Sequence, residues 1–206
     1  MDFETDQEEF WAGEFGDSYT RRNRGDELLA ANLAFFARAL MQAGPMRSCI
    51  ELGANIGMNL EALGLLYPGM ERFGVELNSL AAKELKTRIQ SDNVVVSSIL
   101  DFMPQRKWDL VLCKGVLIHI NPDKLRSVYE KMFMAAGRYI LLAEYYNPTP
   151  TVVPYRGYTE KLFKRDFAGE LIDTYPQLQL VDYGFVYHRD PHFPQDDINW
   201  FLLEKK

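Results

Sequence analysis

Two acidic residues and two glycines have the spacing of a nucleotide-binding site. Glu51 and Gly53 lie at the end of the apolar segment 48–52, Gly57 opens the next helix, and Glu76 lies 19 residues beyond Gly57. Glycine permits left-handed backbone angles and close approach of a ligand. A carboxylate after the second strand of a βαβ unit hydrogen-bonds ribose hydroxyls. The pattern therefore predicts a site for a cofactor that contains adenosine, with Glu76 projecting into an open cleft.

The early position of Glu51 distinguishes between cofactors. A dinucleotide site usually carries G-x-G-x-x-G, because the pyrophosphate binds backbone N–H groups at a helix N-terminus. This loop instead reads E-x-G-x-x-x-G. A carboxylate at Glu51 would repel a pyrophosphate and suits a cofactor with a sulfonium and an ammonium group. We therefore predict S-adenosyl-L-methionine as the cofactor. The alternative is a nucleotide-free domain that uses these glycines only for packing.

Several other residues are expected at the same cofactor. Asn55 could hydrogen-bond its carboxylate or ammonium, or could merely adopt a left-handed turn angle. Asp101 is expected beside the adenine amine, although it could only cap a turn. Tyr19 and Arg22 lie where an N-terminal lid could cover the cofactor, or they belong to a solvated helix end. The predicted cofactor-binding residues are Tyr19, Arg22, Glu51, Gly53, Asn55, Gly57, Glu76, Leu77, Asp101, Phe102 and Lys114.

Catalysis is expected at the carboxyl ends of the fourth and fifth strands. His119 could act as a general base near neutral pH, or it could only order its loop. Tyrosines after the fifth strand can bind a sulfonium or the face of a sugar, or can simply pack under a loop. The predicted catalytic residues are His119, Glu144 and Tyr145, and the predicted substrate-binding residues are Tyr146, Asn147, Arg156 and His188.

Two charged segments have more than one interpretation. Arg156 could hold a carboxylate of the acceptor through two parallel hydrogen bonds, could hold the cofactor's own carboxylate, or could be an exposed loop residue. In H-R-D-P-H, a proline turn separates His188 from His192, and no further ligand follows Asp190. We therefore predict no metal site there and assign His188 to the acceptor.

The elements that must position these residues alternate between strands and helices, which predicts a mostly parallel sheet with ligands at the carboxyl ends of the strands. A short N-terminal helix should turn at Gly16, and Gly137 should end a helix. The predicted helices cover 26–43, 58–66, 79–90, 122–135 and 166–175, and the predicted strands cover 48–52, 70–75, 94–97, 108–113, 139–143, 178–186 and 199–204. We expect one domain over 1–206, with a lid segment (about 1–24) and an insertion (about 145–165).

Composition excludes several classes of protein. The formal net charge is −6 and the isoelectric point is about 5.2, which disfavours nonspecific binding to nucleic acid. No apolar stretch is long enough to cross a membrane, and the acidic N-terminus does not resemble a signal peptide. Cys49 and Cys113 suggest small buried residues in a reducing compartment. We expect a cytoplasmic protein that binds neither nucleic acid nor a membrane; the sequence leaves its oligomeric state open.

Four stretches resemble one family of enzymes. They are residues 8–16, the loop E-L-G-A-N-I-G-M-N-L (51–60), K-G-V-L-I-H-I-N-P (114–122), and E-Y-Y-N-P-T-P (144–150) with Y-R-G (155–157). The chain resembles class I S-adenosylmethionine-dependent methyltransferases and, within them, the methylases associated with pseudaminic acid biosynthesis. The resemblance implies a Rossmann-like α/β fold with a seven-stranded mixed sheet in the order 3-2-1-4-5-7-6, strand 7 antiparallel, and helices on both faces. It also implies a site at the carboxyl ends of strands 1, 2, 4 and 5.

These observations lead to one functional hypothesis and two rivals. We expect a methyltransferase that acts on a small polar acceptor such as an acidic sugar or its precursor. In the first rival, S-adenosylmethionine is itself the substrate of a cyclase or lyase that releases methylthioadenosine. In the second, the chain is a non-catalytic partner protein with a methyltransferase-like fold.

Overall fold

The computed structural model describes residues 3–206. The α-helices are α1 (Asp6–Ala12), α2 (Glu14–Arg22), α3 (Asp26–Ala39), α4 (Met58–Leu66), α5 (Ser79–Arg88), α6 (Leu125–Ala135) and α7 (Phe167–Thr174). The strands are β1 (Ser48–Leu52), β2 (Glu71–Glu76), β3 (Val94–Val96), β4 (Trp108–Lys114), β5 (Ala136–Glu144), β6 (Thr151–Val152), β7 (Phe163–Lys164), β8 (Leu178–Val186) and β9 (Ile198–Lys205). No helix among these residues has the length and apolarity that a bilayer span requires.

Seven strands form the main sheet in the order β3-β2-β1-β4-β5-β9-β8. The pairs from β3 to β5 are parallel, and β9 runs antiparallel to both β5 and β8. In chain order β8 and β9 are the sixth and seventh strands of this sheet, so the predicted fold class is confirmed. The parallel arrangement brings the carboxyl ends of β1, β2, β4 and β5 to one edge.

Helices cover both faces of the sheet, which explains the nearly continuous apolar strands. On one face Ile50 and Val111 pack with α6 and α7, and on the other Leu110 and Leu112 pack with α3, α4 and α5. The central strands separate these two layers of the core. Every residue of β1 is buried. Side-chain alternation therefore sends neighbouring residues of one strand into different layers.

The N-terminal segment differs from the prediction that a turn lies at Gly16. The break lies at Gly13, whose backbone is extended (φ −93°, ψ −156°) and whose N–H donates to the Glu9 carbonyl at 3.0 Å. Gly16 lies inside α2, where an added Cβ would come within 1.8 Å of the Trp11 carbonyl oxygen. The glycine therefore permits close contact between two helices instead of forming the turn.

Two predicted helix ends are also wrong. Helix α6 ends at Ala135 and the chain enters β5 at Ala136, so that Gly137 lies within the strand. A Cβ there would lie 3.0 Å from the Trp108 carbonyl oxygen, so the close approach of the neighbouring strand favours glycine at this position. Helix α3 ends at Ala39 instead of residue 43, because the i→i+3 bonds from Met41 to Arg38 and from Ala43 to Leu40 tighten its last residues into turns.

The insertion after β5 contains a small hairpin. Strands β6 and β7 pair antiparallel, with Thr151 opposite Lys164. At its tip the backbones of Tyr155 and Tyr158 exchange hydrogen bonds of 2.8 and 2.9 Å. Arg156 and Gly157 between them both have positive φ, at 50° and 89°, as in the two-residue turns that match the twist of a hairpin. The predicted irregular segment is therefore partly ordered by β-pairing.

Candidate active site at the carboxyl edge of the sheet

A cavity of about 490 Å³ lies at the carboxyl ends of β1, β2 and β4. The lining includes the predicted residues Tyr19, Gly53, Asn55, Glu76, Leu77, Lys114, His119 and His188. The other predicted residues, which lie outside the lining, are Arg22, Glu51, Gly57, Asp101, Phe102, Glu144, Tyr145, Tyr146, Asn147 and Arg156. The cavity therefore brings together residues from six separate parts of the sequence.

The loop after β1 has the backbone that its glycines predict. Gly53 has φ 76°, and a Cβ there would lie 2.6 Å from a methyl carbon of Val116. Gly57 has φ 87° and precedes α4, and a Cβ there would lie 2.6 Å from a methyl carbon of Leu85. Both positions therefore require glycine for conformation and for space. Gly57 serves packing, and the cavity wall is formed by Gly53 and its neighbours.

Asn55 has the left-handed backbone of one predicted alternative, and its contact with the cofactor stays a prediction. Its φ of 47° is left-handed, and it lines the cavity. Its backbone N–H donates to Glu76 Oε2 at 2.6 Å, and its side-chain amide contacts Thr20 Oγ1 at 3.3 Å. Asn55 therefore connects the end of β1, the end of β2 and the N-terminal helices.

Glu76 differs from the expected carboxylate in an open cleft, because it is only 8% exposed. Its second oxygen accepts the backbone N–H of Asn78 at 2.7 Å. Burial raises the pKa of Glu76, and the backbone donors of Asn78 and Asn55 oppose that rise. Each carboxylate oxygen has two lone-pair positions, so capacity remains for hydroxyl donors on the cavity side. Leu77 lines the cavity next to it.

A second buried acid lies beneath the glycine loop. Glu51 is fully buried, and its Oε1 accepts from Asn59 Nδ2 at 2.6 Å, while its Oε2 and Asn59 Oδ1 have no partner among residues 3–206. Burial raises the pKa of Glu51 to about 8, and the amide of Asn59 and the charge of Lys114 oppose this. Unpaired buried acceptors are costly. These two acceptors therefore fit a ligand group that supplies donors, such as an ammonium.

Lys114 is the cation beside this acid. Its Nζ lies 3.4 Å from Asn32 Oδ1 and 5.6 Å from the centre of the Phe35 ring. Burial lowers the pKa of Lys114, and Glu51 is the strongest of the acids that oppose the shift. Gly115, the next residue, has φ 68° and open space where a Cβ would be. A ligand can therefore approach this backbone closely.

The predicted adenine contacts at Asp101 and Phe102 are not brought to the cavity. Strand β3 ends at Val96, and the backbone N–H of Asp101 bonds to the Ser98 carbonyl at 3.2 Å in a turn. This turn directs Asp101 to solvent and Phe102 into the core. The cavity is lined instead by Ser98, Ile99 and Leu100. The loop after β3 therefore lines the cavity through residues other than Asp101 and Phe102, because the turn at Ser98 directs these two side chains away from it.

His119 lies in the cavity wall between aromatic rings. Its ring centre is 4.6 Å from that of Trp11 and 4.9 Å from that of Tyr155, and its Nδ1 lies 2.5 Å from the Lys161 carbonyl oxygen. That carbonyl requires the proton on Nδ1, which leaves Nε2 as an acceptor. Burial lowers the pKa of His119 to about 4. The imidazole is therefore neutral, and it is a weak base near neutral pH.

Glu144 lies behind the cavity and not in it. Its carboxylate accepts the backbone N–H groups of Val116, Leu117 and Ile118 at 3.0, 3.0 and 3.4 Å. Burial raises the pKa of Glu144 to about 7, and these three donors oppose the rise. The placement is at odds with a direct catalytic role, because the carboxylate is 4% exposed and occupied by the loop after β4. It fixes the loop that carries His119.

The predicted substrate-binding residues separate into two groups. Tyr146 packs near Phe201, and the amide of Asn147 bonds to the Thr149 carbonyl at 2.5 Å, so both lie outside the cavity in the local structure of the insertion. His188 lines the cavity, and its Nδ1 contacts Asp197 at 2.8 Å. Tyr145 and Arg156 also lie outside the cavity lining.

The N-terminal helices form one wall of the cavity. Glu8 of α1 is 7% exposed and bonds to the Ser98 hydroxyl, while Asn78 Nδ2 donates to Asp17 Oδ1 of α2 at 2.8 Å. Sequence reasoning missed Glu8, Asn32, Asn78, Ser98, Gln195 and Asp196 as residues that line the cavity. A buried asparagine on the apolar face of α3 and the capping box at Thr5 were the available signals.

Comparison with known proteins identifies the fold. No protein-family model and no curated protein matches the chain. A magnesium protoporphyrin IX methyltransferase from Synechocystis PCC 6803, with bound S-adenosylmethionine, is 15% identical, with 100% of each chain covered and a TM-score of 0.67. The chain has the fold of class I methyltransferases. An amino pentose methyltransferase from Micromonospora echinaspora, also with bound S-adenosylmethionine, is 12% identical over 93% of this chain and 96% of its own, with a TM-score of 0.63.

A third structure with this methyltransferase fold contains the demethylated cofactor. The plantazolicin methyltransferase in complex with S-adenosylhomocysteine is 12% identical over 97% of this chain and 94% of its own, with a TM-score of 0.65. The acceptors of these three enzymes differ in kind, as their names state. The shared feature is the sheet and the edge at which this chain has its cavity.

Proposed function

We propose that the protein is an S-adenosylmethionine-dependent methyltransferase. One observation supports this most: Glu51 and Glu76 are buried acids at the ends of β1 and β2 beside the left-handed glycine loop, and Glu51 Oε2 and Asn59 Oδ1 have no hydrogen-bond partner among residues 3–206. Glu76 suits ribose hydroxyls, and Glu51, once ionised, suits an ammonium. Neither acid offers the N–H donors that a pyrophosphate requires. The pair therefore favours this cofactor over a dinucleotide.

The residues of the cavity can be assigned to parts of that cofactor. Glu76 would accept from the ribose, and Leu77, Ile99 and Leu100 would flank the adenine. Glu51, with Asn55 and Lys114, would lie at the methionine end. Tyr19 covers this end from α2, with its ring 5.2 Å from that of Trp11.

The expected contribution of the protein is alignment and exclusion of water. The cofactor, when bound, supplies an electrophilic methyl group on a sulfonium. The chain's own residues would orient the acceptor's nucleophile toward that methyl group and keep water out of the cavity through α1 and α2. Positioning of this kind can account for several powers of ten in rate. The neutral His119 would serve as a wall and a hydrogen-bond acceptor.

The acceptor is proposed to be small and polar. A volume of about 490 Å³ lies at the lower end of the range for small-molecule sites, and it must hold both the cofactor and the acceptor. The resemblance to methylases associated with pseudaminic acid biosynthesis suggests an acidic sugar or its precursor.

The small cavity also supports the self-substrate reaction as a second candidate. The volume of about 490 Å³ must first hold the cofactor, and attack by the cofactor's own amine would need no acceptor. Such a reaction would release methylthioadenosine instead of S-adenosylhomocysteine. The two candidates therefore differ in product and not in the residues that bind the cofactor.

The test has a binding arm and a product arm. Calorimetry should detect binding of S-adenosylmethionine and of S-adenosylhomocysteine. Glu76→Gln should lower the affinity for both by about 10- to 150-fold, since hydrogen bonds to a charged group contribute about 1.5–3 kcal/mol. Glutamine preserves one acceptor for the Asn55 and Asn78 N–H groups, which Glu76→Ala would leave unpaired. Incubation with labelled cofactor and cell extract should yield S-adenosylhomocysteine. Absence of binding would support the non-catalytic alternative.

A further inference from the structure

Three tyrosines and an acid from four separate segments meet at one end of the cavity. Tyr19 and Asp196 line it, and Tyr145 and Tyr155 lie close to them outside the lining. Burial raises the pKa of Tyr19, with Tyr155 and Asp196 adding to the rise, and burial likewise raises the pKa of Tyr145, beside the Asp196 carboxylate. We call these four residues the tyrosine cluster. The phenols of the half-buried Tyr19 and Tyr145 remain protonated donors at neutral pH.

Cations surround the tyrosine cluster. The guanidinium carbon of Arg22 lies 5.6 Å from the centre of the Tyr19 ring, and that of Arg156 lies 5.8 Å from the Tyr155 ring. Lys164 Nζ lies 5.3 Å from the Tyr145 ring. On the cavity side Lys114 faces Asp196. Four cations therefore approach the cluster from α2, β4, the hairpin tip and β7.

None of these four cations has a carboxylate partner within 4 Å among residues 3–206, although other arginines there form ion pairs. The whole chain carries a net charge of −6. Glu51, Asp196 and Glu144 are the acids that act on Lys114, and Asp197, which is bonded to His188, lies near Lys164. Burial raises the pKa of Glu51 and Glu144 and so disfavours the charged form of these two acids. An acidic protein thus has a local excess of positive charge at its cavity, which attracts small anions.

The backbone holds Arg156 in this place at a conformational cost. Its φ of 50° lies in the left-handed region, where side chains other than those of glycine, asparagine and aspartate are uncommon. The two-residue turn at the hairpin tip requires this angle, and it fixes where the Arg156 side chain leaves the backbone. The cation–π contact with Tyr155 then directs the guanidinium toward Tyr19, whose pKa both Arg22 and Arg156 lower.

We propose that the tyrosine cluster, with Arg22 and Arg156, is the acceptor subsite and that it binds a hydroxylated acceptor carrying an oxyanion. The arginines take the carboxylate or phosphate through paired hydrogen bonds. The carboxylate of Asp196 accepts a hydrogen bond from the hydroxyl or amine that receives the methyl group. This inference rests on the proposed methyltransferase function and moves Arg22 from the cofactor to the acceptor.

The test compares three probes that share a six-carbon polyol chain or ring and differ in charge. D-gluconate carries a carboxylate, glucose 6-phosphate a phosphate, and D-sorbitol no charge. Binding to the protein saturated with S-adenosylhomocysteine is followed by saturation-transfer NMR. We expect gluconate, glucose 6-phosphate or both to bind about 10-fold or more tightly than sorbitol. Which anion binds better identifies the oxyanion. Equal binding of all three, or no binding of any, overturns the proposal.

Variants locate the subsite. Arg22→Gln and Arg156→Gln should each lower the affinity for the anion by about 10- to 100-fold. Calorimetry should show the affinity for S-adenosylhomocysteine unchanged. Arg156→Lys keeps the charge and loses the paired donors, so an intermediate effect is expected. Arg47→Gln, an exposed arginine away from the cavity, is the matched control and should change nothing. Loss of S-adenosylhomocysteine binding in the Arg22 or Arg156 variants would overturn the acceptor role.

This design separates two failures. If wild-type protein does not bind S-adenosylhomocysteine, the proposed methyltransferase function fails. If it binds S-adenosylhomocysteine but Arg22→Gln and Arg156→Gln leave the anion's affinity unchanged, only the assignment of the tyrosine cluster fails, and the two arginines are then exposed residues that solubilise the N-terminal helices and the hairpin.

Discussion

The carboxylates of Glu51, Glu76 and Glu144 lie at or near the ends of three strands, and their partners distinguish their roles. Glu144 is saturated by backbone donors of a single loop. Glu76 has two backbone donors and faces the cavity. Glu51 has one side-chain donor and an unpaired oxygen. A ligand can therefore change the ionisation of Glu51, because this buried acid still has an oxygen without a hydrogen-bond partner.

Glu51 should therefore couple cofactor affinity to pH. Burial raises its pKa to about 8, so at pH 6 the free protein holds a proton there. The ammonium of S-adenosylhomocysteine favours the ionised carboxylate and expels that proton, so affinity should rise by up to tenfold per pH unit between about pH 6 and 8. Calorimetry in buffers of different ionisation enthalpy should show about one proton released at pH 6.

The control for this coupling is Glu51→Gln, which keeps the acceptor for Asn59 but cannot ionise. Its affinity for S-adenosylhomocysteine should be lower at pH 8 and nearly independent of pH between 6 and 8. A wild-type affinity that does not change with pH would show that Glu51 does not meet the ammonium.

His119 should contribute by position and not by taking a proton. With its pKa lowered to about 4, we expect His119→Asn, which can still donate to the Lys161 carbonyl, to reduce turnover by less than about tenfold. A general base would lose about 10²- to 10⁴-fold. Steady-state rates between pH 5 and 8 decide this, because a base at His119 would give an acid limb that the variant lacks.

At the scale of elements, the N-terminal helices α1 and α2 are attached to the sheet edge by polar contacts of Asn78 and by aromatic contacts such as that of Trp11 with His119. Asn78 caps α5 through its Oδ1, which accepts from Ala81 at 2.9 Å, while its Nδ2 donates to Asp17 and to the carbonyls of Trp11 and Ala12. The side chain of Asn78 thus both caps a helix and forms part of the cavity wall. Since Asn78 follows Glu76 by two residues, docking of these helices is linked to the ribose end of the site.

Asn78→Asp separates these two roles. Aspartate is a good N-cap, so α5 should remain intact, but the donor to α2 is lost and two carboxylates face each other. Amide exchange in residues 6–22 should become about 10- to 150-fold faster, as measured by mass spectrometry, and S-adenosylhomocysteine should dissociate faster. Protection in α5 should not change.

Exchanging the partners provides the rescue for this variant. The Asn78→Asp/Asp17→Asn double variant restores a donor opposite a carboxylate and should return exchange in α1 and α2 toward the wild-type rate. If the single variant leaves exchange in these helices unchanged, the Asn78 contacts do not hold them.

For the whole molecule, buried acids outweigh the buried histidine in the pH dependence of stability. Folding raises the pKa of Glu51 and Glu144 from 4.5 to about 8 and 7. Their contribution is complete below pH 4.5 and is lost as pH rises through those values. Folding lowers the pKa of His119 from 6.5 to about 4, so its contribution is gained between pH 4 and 6.5. Between pH 5 and 6.5 the two acids lower the stability as pH rises, while the histidine raises it. Above pH 6.5, of these three groups, only the two acids still change the stability.

The free energy of unfolding of the cofactor-free protein should therefore fall from about pH 5 to pH 8. Each group contributes a slope of about 1.4 kcal/mol per pH unit. Urea unfolding at several pH values measures the change, and Glu51→Gln should flatten the curve between pH 7 and 8. A stability that rises with pH throughout this range would contradict the protonation of the two acids in the folded state.

The sequence by itself determined the sheet, its order of elements and the glycine loop. These follow from local patterns: apolar strands, caps such as Asn78, and glycines whose left-handed angles no other residue readily adopts. Glu76 was identified by its distance along the chain from Gly57, because a βαβ unit fixes that distance. The resemblance added the order of all seven strands and the antiparallel direction of the last.

Only the tertiary structure decided which side chains enter the cavity. Asp101 and Phe102 lie outside the cavity lining because a turn at Ser98 directs them to solvent and to the core. The Glu144 carboxylate is buried where it accepts three N–H groups of another loop. Asp196 and Asn32 have no motif, since their partners come from distant segments. Burial also set the pKa of His119 and Glu51, which no pattern of residue types records, because the energy of a charge depends on the atoms packed around it in space.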